Sequence, residues 1–481
     1  MPRKGKLFSR CRGKSQDNCV RDPICIYTNG QKYKYCRLSR KYILDKTDKI
    51  TKDRITKEKV ASLSIRRSNS TAKRKIGKFF KNTTFKRRAN YLSQICQDSN
   101  LCLAIGKENR KIKAFFNEFQ GLEFIEPPIE RKGAPSANGF VHRIHYRRNK
   151  YDAYAIMKSS AKTDGDNLAY EYLVGKYLNT LQNRFPLFVE TYALYSYIDE
   201  HAWDHTKNTN QIAKQAFFKN IDRITNQDIT NIAKTCTNSK HLAVLIQDIK
   251  DPTSLEYLTR SSNFVEHELM NALFHIYSIL HTLRSSFTHY DLHGNNVLLY
   301  TLAPDSHIEY IYHCTGGAVR FKSKYMVKII DYGRSFFPDA KKYHKKICDT
   351  MECDPYCGED VGYGYMNKVG PLKDQHYIWS TITNQSHDLR LLTIVSNAPK
   401  VKTHHSQFSF LDKVKYNAEY GTNEMKKTGL PQKIHNVSDA FAEIKSRVRP
   451  NDAEYAGSNQ IGVLHIYLDS TIPMRFVPTN P

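Results

Sequence analysis

The sequence predicts an α+β fold behind a basic N-terminal extension, and three observations predict it. Short segments rich in β-branched and aromatic residues cluster after about residue 120, segments of helical periodicity follow, and most of the net positive charge lies in the first 90 residues.

The chain has 481 residues and a formal net charge of +27. Residues 1–90 hold 28 Lys and Arg against 6 Asp and Glu, whereas the other 391 hold 46 against 41. The basicity therefore belongs to an arm and not to the fold. The stretch SIRRSNSTAKRKIGKFFKNTTFKRRAN, Ser64 to Asn90, suits nucleic-acid phosphates, an anionic membrane surface or an acidic protein partner. A solvated tail fits the same composition. MPRKGKLFSRCRGK carries no apolar secretion core, Pro2 stands where N-myristoylation needs Gly, and no run approaches the roughly 18 apolar residues of a membrane span. We expect an intracellular protein with no transmembrane segment.

Eleven cysteines in such a compartment read as thiols or metal ligands before disulfides. Cys11, Cys19, Cys25 and Cys36 lack the close C-x2-C pair of a strong zinc site, and His344, Cys348, Cys353 and Cys357 could supply four ligands from one loop. For both groups zinc stays open beside unliganded thiols.

Past the arm, GLEFIEPPIERKG, GFVHRIHY and YDAYAIMKSS read as consecutive antiparallel strands broken by Gly, Pro and Asn. DNLAYEYLVGKYLNTL then places Leu168, Tyr172, Val174 and Leu178 at helical spacing after an Asp/Asn start signal. Polar residues from Thr206 to Ser239 suggest inserted helices, and His241–Ile249 is a buried strand by its apolar run. Leu269, Leu273, Ile276, Leu280, Leu283 and Phe287 predict a one-sided helix of about six turns over Glu266–Phe287. The loop THYDLHG leads from it into the strand NVLLY, and VKII is a strand ending in Asp331.

Two strand-adjacent loops thus present Asp291, Asn296 and Asp331, all oxygen donors. Mg²⁺ requires oxygen ligands and usually takes one or two carboxylates plus phosphate and water. Asn296 and Asp331 could hold it, leaving Asp291 to orient a hydroxyl nucleophile and accept its proton. Turn-forming aspartates and a strand-entry cap would explain each residue singly.

At this point the residues resemble the protein kinases. His289-Tyr290-Asp291-Leu292-His293-Gly294-Asn295-Asn296 is similar to their H-R-D-L-x-x-x-N loop, Asp331-Tyr332-Gly333 to D-F-G, and Lys158 in YAIMK to the strand lysine of V-A-I-K. Glu171 in the next helix is then the ion-pair partner of Lys158. Aligning Gly139 and Val141 with the end of G-x-G-x-x-G-x-V puts Ala134 and Ser136 at the first two glycine positions, beside Gly133. The resemblance implies ATP held at Gly133, Ala134, Ser136, Gly139, Val141 and Lys158, Mg²⁺ on Asn296 and Asp331, and Asp291 as proton acceptor with Lys158 and Glu171. Asp388 could hold the catalytic-loop backbone or be a helix cap.

The chain also departs from the pattern. Tyr290 replaces the Arg that pairs with a phosphorylated activation loop, His293 replaces a Lys, and no A-P-E follows Asp331. APDSHIEYIYHCTGGAVRFKSK reads as an inserted hairpin between Asp291 and Asp331. With YEYLVGKYLN and the Cys-bearing basic start, the whole resembles serine/threonine kinases of large cytoplasmic DNA viruses, iridoviruses among them. That resemblance implies a two-lobed kinase-like fold: extension 1–120, β-rich N-lobe 121–249 and helical C-lobe 250–481. It also implies transfer of γ-phosphate to protein Ser/Thr, in host cytoplasm or packaged in the virion. Two alternatives stay open: a small-molecule hydroxyl as acceptor, and an inactive nucleic-acid-binding scaffold.

Overall fold

Alternating inward and outward side chains build a seven-stranded antiparallel sheet from the segments read as strands. The computed structural model describes residues 25–29, 34–38, 116, 119, 124–136, 139–148, 151–160, 168–225, 241–249, 251–343, 357–358, 362–368, 375–415 and 433–479. It divides into Met1–Phe85 and Lys86–Pro481. In the first unit β1 (Cys25–Asn29) and β2 (Lys34–Leu38) form an antiparallel hairpin in which Tyr27 pairs with Cys36. Cys11, Cys19 and the rest of the basic arm lie outside the described residues, as do His344, Cys348 and Cys353.

In the second unit the sheet comprises β3 (Ile125–Ser136), β4 (Gly139–Arg148), β5 (Tyr151–Ser159), β6 (Thr191–Tyr197), β7 (Gln211–Ile212), β8 (Ile221–Arg223) and β9 (Leu242–Gln247). Their order is β7-β3-β4-β5-β9-β6-β8, every neighbouring pair antiparallel. Both faces are covered. On β9, Ala243 and Leu245 share a core with Ile144, Met157 and Tyr195, whereas Leu242 and Val244 share the other core with α1 (Leu168–Leu181). Burial on both sides is why this strand reads as an unbroken apolar run. On β5 the same period of two sends Ala155 and Met157 into the first core and turns Ile156 and Lys158 to the opposite face.

The segment read as inserted helices contains α2 (Glu200–Asn208) and α3 (Lys214–Asn220), which bury Trp203 and Phe217 in the first core. Phe116 and Phe119, assigned by sequence to the extension, stack at 5.5 Å in that same core, so the folded unit starts before residue 121.

Helix α1 meets β6 where Gly175 faces Thr191. A Cβ on Gly175 would lie 2.0 Å from Thr191 Oγ1 and 2.8 Å from its Cβ. Thr191 has little room to retreat, because its N–H and C=O both bond the Asn179 side chain, at 3.0 and 2.6 Å. Gly175→Ala gains about 1 kcal/mol of helix propensity but forces overpacking that costs roughly 1–3 kcal/mol. We expect a net loss of stability in urea unfolding, and a gain would refute the contact.

After β10 (Thr253–Ser254) and α4 (Leu255–Leu258), the helix expected over Glu266–Phe287 is two helices, α5 (Ser262–His267) and α6 (Leu269–Thr282). Glu268 leaves helical geometry at φ −120° between them. Its buried carboxyl accepts from Ser323 Oγ at 2.8 Å and from Tyr455, bonds that outweigh helix continuity, and burial pushes it up to about 7. The one-sided expectation also fails, since every residue of α6 from Leu269 to Leu280 is buried. Leu283 and Phe287 are buried too, in turns beyond the helix end, so the periodicity reported burial further than it reported helix.

What covers the polar side of α6 is a second sheet. The expected hairpin forms from β12 (Ser306–Cys314) and β13 (Gly317–Ser323), which in chain order separate β11 (Val297–Thr301) from its pairing partner β14 (Tyr325–Ile329). Strands β15 (Cys357–Gly358), β16 (Gly362–Lys368) and β17 (Gln375–Trp379) follow as a small sheet. Next come α7 (Arg390–Ser396), α8 (Pro399–Thr403), α9 (His405–Phe408) and α10 (Val437–Lys445). The last strands, β18 (Asn459–Tyr467) and β19 (Arg475–Pro478), join the hairpin in the order β13-β12-β18-β19, with β12 and β18 parallel. Inward from this sheet, Tyr312 Oη bonds His275 Nδ1 of α6 at 2.5 Å. The part after residue 250 is therefore not simply helical. Among the described residues no helix is long and apolar enough to cross a membrane.

Candidate active site

Strands β11 and β14 pair antiparallel, Val297 with Ile329, and the Ile330 N–H donates to the Asn296 carbonyl at 3.1 Å. This register brings the residues just before β11 and just after β14 to one end of the pair. Asn296 and Asp331 are those residues.

Across from them, Lys158 Nζ lies 2.7 Å from Glu171 Oε2 and 2.8 Å from Asp331 Oδ1. Glu171 is in the first turn of α1 with 4% of its side chain exposed, against 19% for Lys158 and 34% for Asp331. Burial alone would lower the Lys158 ammonium, but the two carboxylates more than reverse it and hold it above its usual range. Burial likewise works against the Asp331 carboxylate, and the Lys158 ammonium holds it below its usual range. The pair read from sequence as Lys158 with Glu171 is thus a triad that includes Asp331.

A cavity of about 450 Å³ opens beside this triad. Val141, Ile156, Val189, Ile246, Leu298 and Ile330 supply its apolar walls, and Lys158, Glu171 and Asp331 line it together with Asp248, Asp251 and Arg143. Arg143 Nε donates to Asp248 Oδ2 at 2.8 Å and its guanidinium stacks on Tyr154. Neither contact was anticipated from sequence. The expected phosphate-covering segment is the β3–β4 hairpin, in which Lys132 pairs with Val141 and Ser136 with Gly139. Positive φ falls on Gly133 (+70°) and Gly139 (+129°), so glycine is used at 133 and not at the aligned positions Ala134 and Ser136. The side chains of Ala134 and Ser136 lie outside the described residues.

The loop His289–Asn296 is held from several sides. Asp388 accepts the His289 N–H at 2.9 Å through Oδ2 and the Tyr290 N–H at 3.1 Å through Oδ1. Of its two readings this is the backbone anchor. Burial pushes its carboxyl up to about 7 against these two bonds. His289 bonds the Ile330 carbonyl through Nε2 at 2.9 Å and accepts the Asp291 N–H at Nδ1. That pattern fits a neutral ring, and burial lowers it accordingly. Asn296 Nδ2 donates to the Asp291 carbonyl at 2.9 Å. Gly294 packs against α4, where a Cβ would meet Glu256 Cβ at 2.8 Å, and Asn295 bonds the Glu256 carboxylate at 2.6 Å.

Tyr290, at φ +64°, buries its ring and donates its hydroxyl to the Ile382 carbonyl at 2.5 Å. It ties the segment before Asp388 to the loop with a neutral bond where the kinase pattern has an Arg. Tyr290→Phe should lower stability by about 0.5–1.5 kcal/mol, read by chemical denaturation; an unchanged midpoint would show the tether to be inert.

Asp291 is 13% exposed at its side chain, and each oxygen meets an arginine: Oδ1 to Arg390 NH1 at 2.8 Å, Oδ2 to Arg334 NH1 at 3.0 Å. His293 Nε2 is 4.0 Å from Oδ1. Sequence reasoning missed both arginines. The only local signals were their positions, Arg334 directly after Asp331-Tyr332-Gly333 and Arg390 two residues after Asp388.

Among the described residues no group of three or more His, Cys, Asp or Glu side chains forms a metal cluster. One carboxylate, Asp331, and one amide, Asn296, whose Nδ2 is already committed and leaves Oδ1 as the donor, fit Mg²⁺ that takes its remaining ligands from phosphate and water.

Neither a scan against protein-family models nor a search of the curated proteins returns a match for this chain. The described residues define a mixed α+β fold with a curled antiparallel sheet and helices.

Proposed function

We propose that the chain is an ATP-dependent phosphotransferase with a two-lobed kinase-type fold, transferring the γ-phosphate to Ser or Thr hydroxyls of proteins. The observation that carries this reading is the Lys158–Glu171–Asp331 triad lining one cavity, with the loop that bears Asp291 and Asn296 bonded to Ile330, the residue before Asp331, through His289 Nε2 and the Asn296 carbonyl. The apolar walls suit a purine. Asp251 and Asp248 could accept hydroxyl groups of a ribose. Lys158 would bind the α- and β-phosphates, a role suited to an ammonium that stays charged at any physiological pH.

Mg²⁺, held by Asp331 and Asn296, would offset charge on the phosphates. Asp291 would orient the acceptor hydroxyl and take its proton, so catalysis rests on positioning and electrostatics.

The test is label transfer from γ-labelled ATP, offered with a protein mixture and separately with a panel of hydroxylated metabolites. Label on protein Ser or Thr is expected. Label confined to metabolites would replace the acceptor class, and no transfer to either would overturn the reading.

A further inference from the structure

The loop lacks the lysine two residues after the proton acceptor, since His293 stands there, yet two arginines from elsewhere in the chain reach Asp291. They are not equivalent. Arg390 opens α7, is 7% exposed at its side chain, and lies in the same short stretch as Asp388, which anchors the His289 and Tyr290 amides. Arg334 is 19% exposed, sits on the loop directly after Gly333, and is close enough to Asp331 for its charge to act on that carboxylate as well. Arg390 is nearly closed off from solvent; Arg334, more exposed, bonds the carboxylate that would accept a proton and acts through its charge on the carboxylate that would sit nearest the phosphates.

Both Asp291 oxygens carry a guanidinium, so an acceptor hydroxyl meets a carboxylate already engaged on each side. A γ-phosphate brought in beside Asp331 has more negative charge than Asp291 and offers several oxygens to a guanidinium fork. Resting on the phosphotransfer reading above, we propose that Arg334 is a nucleotide-sensing catalytic residue, moving from Asp291 Oδ2 to the γ-phosphate and thereby uncovering Oδ2 for the acceptor hydroxyl. Arg390 stays on Oδ1 as the positioning residue that keeps Asp291 aimed. In the transfer, the acceptor oxygen forms its bond to Pγ and the bond from Pγ to the bridging oxygen breaks. ADP keeps that electron pair, and the acceptor proton passes to Oδ2 and then to solvent. Arg334 thus replaces the missing loop lysine, and the base is exposed only when a γ-phosphate is present.

The experiment compares binding of ADP and of β,γ-imido-ATP, each with Mg²⁺, by titration calorimetry for the full chain, Arg334→Gln, Arg334→Lys and Arg390→Gln, with transfer rates alongside. In Arg334→Gln, ADP affinity should hold while the preference for the triphosphate falls roughly tenfold or more, as for loss of a hydrogen bond between charged groups. Its kcat should fall on the order of 10³-fold, as when a γ-phosphate arginine is removed. Lys at 334 should restore part of the preference, because a point charge remains. Arg390→Gln should lose kcat and keep the preference, the result a positioning residue gives. An unchanged preference in Arg334→Gln, or its loss in Arg390→Gln with ADP binding intact, overturns the assignment. Should buried Arg390→Gln fail to fold, seen as loss of ADP binding, the two Arg334 variants decide. Parent protein that transfers phosphate while Arg334→Gln keeps its triphosphate preference sinks this inference alone, whereas parent protein that binds neither nucleotide sinks the phosphotransfer reading with it.

Discussion

Asp291→Asn should reduce phosphate transfer by about 10²–10⁴-fold, the usual contribution of a positioned acid or base, while leaving nucleotide affinity within a few-fold. The substitution keeps the size of the side chain and one carbonyl oxygen. It removes the only property the reaction needs from this residue, a carboxylate that can accept a proton. Nucleotide binding should survive because the Lys158 triad and the apolar cavity walls touch other atoms. The change also strips Arg390, almost fully buried, of its anionic partner. Retained nucleotide binding therefore serves as the check that the loop is still folded. Transfer within tenfold of the parent protein would show that Asp291 is not the proton acceptor, whatever the fate of the ion pairs.

How much of this was legible in the sequence depended on how far apart the determining residues lie. Helix α1, the run in β9 and the β12–β13 hairpin are set by residues no more than 15 positions apart, as Ile308 and Ser323 are, and their patterns were readable. The Lys158–Glu171 pair was readable only through the resemblance of YAIMK and the helix after it to the kinase pattern. The parallel pairing of Ile311 with His465 was not, since nothing near either residue encodes a partner about 150 positions away. That missing sheet also explains the misread helix. Apolar spacing gave α6 one buried side, whereas its Asn271, His275 and Ser278 are buried as well, His275 being bonded by Tyr312 of the second sheet.

The break at Glu268 has the same origin, because Ser323 and Tyr455 come from distant segments. At the candidate site, motif spacing located Asp291, Asn296 and Asp331 but said nothing of the arginines, whose contact with Asp291 appears only in the folded chain.

Lys158→Met should have the largest effect on stability as well as on nucleotide binding. Breaking a buried ion pair by removing one partner costs roughly 3–5 kcal/mol. The lower end applies here, because Lys158 keeps about a fifth of its side chain in solvent and Asp331 about a third. The cost should depend on pH in a defined direction. In the parent protein Lys158 holds Asp331 below its ordinary 3.8, so the stability this carboxylate contributes is present above about 4 and is lost as pH falls through its folded value. In the variant the cation is gone and burial acts on Asp331 unopposed by Lys158. That carboxyl then resists ionisation, the folded state takes up a proton more readily than the unfolded chain, and acidification favours folding. The stability gap between parent and variant should accordingly be widest near pH 7–8 and should narrow as pH falls toward 4, measured by urea unfolding across that range. A gap that is constant with pH would mean that Lys158 acts through packing of its methylene chain and not through charge. A gap that widens on acidification would contradict the triad's electrostatics outright.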